Sequence, residues 1–253
     1  MRIALFSDIH ANMPALEAVL NDMEIPKPDA VYCLGDLVGY APWPNEVTET
    51  IRSRGIPAIA GNYDQGIGNR SDDCGCAYKT DEEKANGAVS IRYTNEMISE
   101  DNRAYLHSMP AHLRLEFGVN GAPFNLLLVH GSPRKINEYL FEDRPDKSFA
   151  RMMEKADAQI LAFGHTHKPF HKTIELDDVY RHAVNIGSVG KPKDGDPRAC
   201  YVLLDIDDQP DFSRQDALEV TFRRVEYDVE KAASAIEKSP LPDVYADNLR
   251  KAY

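Results

Sequence analysis

The 253-residue chain has no apolar run of the ~18 residues that a membrane-spanning helix requires. Its opening residues, Met1-Arg2-Ile3-Ala4-Leu5-Phe6-Ser7-Asp8, turn acidic too early for a secretory signal. Positive charge is in deficit: 29 Lys and Arg stand against 41 Asp and Glu, a net charge of -12. A polyanion is normally met by a basic surface, so general nucleic-acid binding is set aside. Phosphate is not, because bound metal ions supply local charge that outweighs the global balance. Cysteine is sparse as well, and four thiols do not make a disulfide scaffold. Internal repeats, low-complexity segments and linkers are missing. These absences predict a cytoplasmic protein with no membrane partner, in which nucleic acid enters only as a small nucleotide. Its oligomeric state is not legible.

The composition, 43% hydrophobic and 28% charged, is that of a globular chain with a substantial core. The apolar run Ile3–Phe6 predicts a buried strand, and Pro14 opens a helix through Leu20. Runs at 30–34 and 56–60 predict two more strands, with a helix at 44–54 between them. The Gly-, Asp- and Asn-rich stretch 64–78 reads as a long loop, and Thr80 with Glu83 offers a capping box for a helix to about Ile98. A short helix at 100–107 follows. Strands are expected near 113–117, 124–129, 159–163, 169–176, 181–186, 200–206 and 217–225. The near-unbroken apolar runs suit two sheets buried face to face with helices outside, an α/β (α+β) sandwich. One domain over 1–253 is expected, with a helical tail over about 229–253 broken around Pro240 and Pro242.

Each strong apolar run ends in a metal-type side chain. The first ends at Asp8 and His10, two residues apart and on one face in extended geometry. The second ends at Asp36, the third at Asn62, the fourth at His130, and the fifth at His165 and His167. Ligand sites in α/β sheets lie beyond the carboxyl ends of strands, so these seven side chains are expected to converge. Two carboxylates, one amide oxygen and four imidazoles are too many for one ion and suit two ions bridged by a carboxylate. Gly35, Gly61, Gly131 and Gly164, each beside a ligand, are expected to take the sharp turns.

Asp8-x-His10, Gly35-Asp36-Leu37-Val38, Gly61-Asn62-Tyr63-Asp64, Val129-His130-Gly131 and Gly164-His165-Thr166-His167 resemble the ordered blocks of the calcineurin-like metallophosphoesterase superfamily. Asn185-Ile186-Gly187-Ser188-Val189-Gly190 resembles a segment of its small bacterial and archaeal phosphodiesterase-like branch. The resemblance implies a β-sandwich flanked by helices in four layers, with two metal ions at one edge. Asp8, His10, Asp36 and His167 would hold one ion, and Asp36, Asn62, His130 and His165 the other. Two ions about 3.5–4 Å apart acidify a shared water to hydroxide, clamp the phosphoryl oxygens and stabilise an in-line attack. Manganese comes first, and iron, zinc and nickel also suit the mixed nitrogen and oxygen donors.

Many relatives carry a histidine after the ligand asparagine; here that position is Tyr63. A phenol, with an ordinary pKa near ~10, is a poorer general acid than imidazole, so diesters are the expected substrates and monoesters weak ones. Asp64 either orients Tyr63 or caps the next turn. Arg134, just past His130, is the candidate to bind a substrate phosphate, against a plain solvated arginine. Segments 137–146 and 66–78 are candidates for substrate selection. His107 and His112 read as surface residues; His171 and, more weakly, His182 are candidates to line the site, against plain strand residues. Cys33 and Cys200 read as small core residues, whereas Cys74 and Cys76 form either a redox or soft-metal pair or a plain loop. The expected activity is a metal-dependent phosphodiesterase acting on a small phosphorylated substrate. A dinucleoside polyphosphate hydrolase, a protein phosphatase and an inactive scaffold are the alternatives.

Overall fold

A computed structural model describes residues 1–119, 122–176, 178–207 and 210–253. The first half lays down β1 (Arg2–Phe6), α1 (Met13–Asp22), β2 (Ala30–Cys33), α2 (Pro44–Ser53), α3 (Asn62–Gly68), α4 (Asp81–Met97) and α5 (Glu100–Ser108). The second adds β3 (His112–Val119), β4 (Ala122–Val129), α6 (Asp146–Lys155), β5 (Ile160–Phe163), β6 (Phe170–Leu176), β7 (Val179–Asn185), β8 (Ala199–Ile206), β9 (Leu218–Val225), α7 (Val229–Glu237) and α8 (Val244–Lys251). Two mixed sheets result, ordered β2-β1-β8-β9 and β3-β4-β5-β7-β6.

The unbroken apolar runs reflect burial on both faces. In β1, Ile3 and Leu5 pack between the two sheets, while Ala4 and Phe6 pack under the helices. In β4, Leu126 and Leu128 face the other sheet, while Leu127 and Val129 meet Phe149, Met152 and Met153 of α6. Each large side chain among them contributes about 1.5–3 kcal/mol on leaving water, so both faces of these strands favour apolar residues. The layers therefore run helix, sheet, sheet, helix, as an α/β sandwich requires.

The caps follow the sequence closely. Asn12 accepts from the Ala15 amide (3.2 Å) ahead of Pro14, and Thr80 accepts from Glu83 (3.1 Å). Two expectations fail. The run 56–60 forms only a bridge between Cys33 and Ala58, because Pro57 has no N–H to offer and the Ala60 amide turns away to Pro110 (2.8 Å). The stretch 64–78 begins inside α3, whose amphipathic signal is too short to stand out against its glycines.

Candidate metal centre

Strands β1 and β2 run parallel in one sheet, and β4 and β5 run parallel in the other, so their carboxyl ends deliver side chains to one edge. The loops after β1 and β2 then run side by side: the amides of Asp8, His10 and Ala11 donate to the carbonyls of Gly35, Asp36 and Leu37 at 2.9, 3.0 and 2.7 Å. Segment 188–190 clamps the first loop from the other side, through Ser188 Oγ and the Gly190 amide on the Asp8 carbonyl (2.7 and 3.0 Å). Asn185 ties in the third loop by donating to the Gly164 carbonyl (3.0 Å) and Thr166 Oγ1 (2.8 Å).

The sharp turns are taken by the polar residues themselves. Asp8, His10, Asp36, His165 and His167 all have φ between 50° and 65°. The glycines do something else in the main. Gly35 is left-handed (φ 89°), but a Cβ on Gly61 would stand 2.1 Å from Asp36 Oδ1, and one on Gly164 2.4 Å from Asp8 Oδ2. Those two positions are empty so that the carboxylates can occupy the space.

The seven side chains are buried together. Ligand atoms of Asp8, His10 and His167 lie within 4.8 Å of one another, as do those of Asp36, His130 and His165. Asp36 Oδ2 sits between the groups, 3.7 Å from His10 Nε2 and 3.3 Å from His130 Nε2. Backbone carbonyls of Val38, Leu34 and Lys191 hold Nδ1 of His10, His130 and His167 at 3.1, 2.8 and 2.5 Å, which leaves each Nε2 for the interior. Asn62 donates to the Cys74 carbonyl (2.8 Å), which turns its oxygen inward.

Among the described residues, four of the inward atoms, Asp8 Oδ1, Asn62 Oδ1, His130 Nε2 and His165 Nε2, make no hydrogen bond of good geometry, although Asp8 Oδ1 stands 3.1 Å from His167 Nε2 and His130 Nε2 stands 3.3 Å from Asp36 Oδ2. Burying such atoms without a well-formed hydrogen bond costs about 1–3 kcal/mol each, and a divalent cation is what this donor set fits. The electrostatics agree. Burial would lower the His130 imidazole, yet Asp36 and Asp8 hold it up at about 10. Burial and the His130 charge press His165 down to about 2. A proton on His130 thus stands where a cation belongs.

Asp64 caps. Its two oxygens accept from the Leu37 and Gly61 amides, both at 2.9 Å, tying the loop after β2 to the start of α3. Burial and the Asp36 charge raise it to about 7. Tyr63 is only 1% exposed; its ring meets the His10 ring edge-on at 5.5 Å, its amide donates to Asp36 Oδ1 (2.8 Å), and its phenol oxygen is buried without a partner.

Arg134 is not part of this site. It is paired with Glu138 and lines a separate cleft with Lys147, Arg151 and Lys155. Burial would raise the Glu138 carboxyl, but Arg134, Ser132 and Arg144 hold it at about 2. Its contribution is therefore complete above the ordinary glutamate value and lost as pH falls toward 2. Glu138→Gln is expected to cost about 1 kcal/mol, since Arg134 is about half exposed and water screens the pair. Thermal unfolding of both proteins checks this: the gap should be widest near neutral pH and should close in acid.

The cavity above the centre, about 670 Å³, is lined by His10, Asp36, Asn62, Tyr63, His165 and His167 at its floor. Cys76, Ala77 and Tyr78 from one expected selectivity segment, and Tyr139 and Phe141 from the other, form part of its walls. His107 and His112 are exposed, and His171 instead bonds His182 at 3.0 Å. All four cysteines are free, and Cys76 Sγ accepts from Asn62 at 3.4 Å. Sequence reasoning missed Lys191, Lys193, Tyr40 and Tyr245, which also line the cavity. The signal for the lysines was their position directly after the 185–190 block.

Among the described residues no helix is long and apolar enough to cross a membrane. Residues 1–209 match the calcineurin-like phosphoesterase superfamily domain. An uncharacterized protein of Methanocaldococcus jannaschii is 34% identical over 261 residues, covering 98% of this chain and 96% of its own. The crystal structure of a metallophosphoesterase from Sphaerobacter thermophilus is 30% identical with a TM-score of 0.73, covering 100% of this chain and 99% of its own. A hypothetical protein from Pyrococcus horikoshii OT3 shares the fold at 24% identity and a TM-score of 0.79, covering 100% and 98%. The chain belongs to the calcineurin-like phosphoesterase superfamily, with the two sheets flanked by helices of its metallophosphoesterases.

Proposed function

We propose that the protein hydrolyses phosphate diesters with two divalent ions, manganese first. Asp8, His10, Asp36 and His167 would hold one ion, and Asp36, Asn62, His130 and His165 the other. The observation that carries this reading is the pair of buried donor groups meeting at Asp36 Oδ2, with atoms that lack a well-formed hydrogen bond on both sides. When bound, two such ions supply an acidified water and neutralise phosphoryl charge. Hydrolysis forms a P–O bond from a water molecule and breaks the P–O bond to the leaving alcohol or phenol, while the water's proton passes to that oxygen or, where it departs as its anion, to solvent.

The preference for diesters rests on who could give that proton. Burial first, then Tyr40, Cys76, Tyr78 and Tyr245, push the Tyr63 phenol well above its ordinary value. So weak an acid gives little help to an alkoxide, and substrates whose leaving groups need none are favoured. In this reading the enzyme works in the cytoplasm on a small phosphorylated substrate.

A panel on the manganese-loaded protein tests it, with bis(p-nitrophenyl) phosphate as diester and glycerol 2-phosphate as a monoester with a basic leaving group. The diester should be favoured, Tyr63→Phe should change its turnover less than about threefold, and Tyr63→His should raise monoester turnover by about tenfold or more. Faster turnover of the monoester by the native enzyme would overturn the preference, and a large loss in Tyr63→Phe would make the phenol a participant. Fewer than one ion bound after reconstitution would point to a scaffold.

A further inference from the structure

The segment after the 185–190 block is fastened to the metal loops by its backbone. The Lys191 carbonyl bonds His167 Nδ1 at 2.5 Å, and the Lys193 amide donates to the His167 carbonyl at 3.3 Å. Both side chains therefore enter the same cavity as the candidate ligands. Lys191 is only 6% exposed, and its ammonium lies on the face of Tyr40, 4.8 Å from the ring centre, with Tyr245 at 6.0 Å. Neither lysine forms an ion pair among the described residues. The other carboxylates facing the cavity are Glu82 and Glu83 on the α4 wall, and Glu83 is already engaged by the Lys79 amide at 2.6 Å.

Two neighbouring cations, one of them buried, are costly to keep without a counter-charge. An anion resting between them removes both penalties. The cavity, about 670 Å³, is of the size that takes a whole small molecule and far exceeds one phosphoryl group.

We propose that Lys191 and Lys193 form an anion subsite beside the metal centre, and that the preferred substrate carries a second phosphate next to the scissile diester. This rests on the phosphodiesterase reading for its substrate, while the anion site itself stands on geometry alone. Tyr40 and Tyr245 hold the Lys191 ammonium at the cavity wall through their ring faces.

Two measurements decide it. Calorimetric titration of inorganic pyrophosphate into the metal-free protein should show binding that weakens at least tenfold in Lys191→Gln/Lys193→Gln and recovers in Lys191→Arg/Lys193→Arg. On the metal-loaded protein, thymidine 5′-(p-nitrophenyl phosphate) is compared with its 3′-phosphorylated form. The native enzyme should favour the latter at least tenfold in kcat/KM, mainly through KM, and the double Gln variant should reduce that ratio to about one. If Lys191→Gln does not fold, Lys193→Gln alone should still lower both quantities. Equal pyrophosphate binding in native and Gln proteins together with a native ratio near one overturns the subsite while leaving the diesterase intact. No diester turnover with pyrophosphate binding lost in the Gln variant keeps the anion site and refutes the diesterase.

Discussion

Asp36→Asn is expected to lower kcat/KM on a diester by about a thousandfold or more and to reduce bound metal from two ions to about one. The reason lies in how the carboxylate is held. Oδ1 accepts from the Tyr63 amide at 2.8 Å, so the oxygen of an asparagine would take that place and its NH₂ would face His10 and His130. A donor then stands where a shared anionic ligand is needed. A thousandfold loss corresponds to about 4 kcal/mol of transition-state stabilisation, in line with removing a charged group that would contact both ions of the proposed centre. The variant should still fold, because the backbone contact is kept and the Asp36 charge no longer presses on Asp64. Metal analysis and steady-state kinetics check the result; native-level activity would refute the bridging role.

The sandwich was legible in the sequence, and so was the meeting of seven polar side chains at one of its edges. Asp8, His10, Asp36, Asn62, His130, His165 and His167 could be named because each follows an apolar run, and the parallel pairs β1–β2 and β4–β5 bring those ends to one edge. The run 56–60 looked equally strand-like, but a strand needs a partner along its length, and Pro57 with the detour of Ala60 removes it. The role of the glycines was misread for a similar reason. A glycine beside a ligand signals a turn when only local sequence is considered, whereas Gly61 and Gly164 are small because Asp36 and Asp8, distant in sequence, pack against them. Lys191 was invisible because a lysine reads as surface until the fold shows it against Tyr40. Arg134, read as either a phosphate binder or a solvated arginine, lines a different cleft, because closeness to His130 in sequence does not place it in the same cavity.

Adding manganese to metal-free protein is expected to raise its unfolding temperature by roughly 10–20 °C at pH 8 and by much less at pH 5.5. Five buried candidate ligands sit at left-handed φ, a conformation that costs a non-glycine residue about 1–2 kcal/mol, somewhat less for Asp and His. Four inward atoms make no hydrogen bond of good geometry. Ions that bind only the folded state offset both costs. At a hundredfold excess over Kd each site contributes about 2.7 kcal/mol, and in a chain of this size one kcal/mol is worth about 2–4 °C. The pH dependence follows from competition. His130 holds its proton up to about 10 without metal, so binding must displace that proton, and affinity falls as pH drops. Thermal unfolding after chelator treatment, with and without manganese at the two pH values, measures both effects. Asp36→Asn should lose at least half of the rise at pH 8; an equal rise in both proteins would place the ions somewhere other than between His10 and His130.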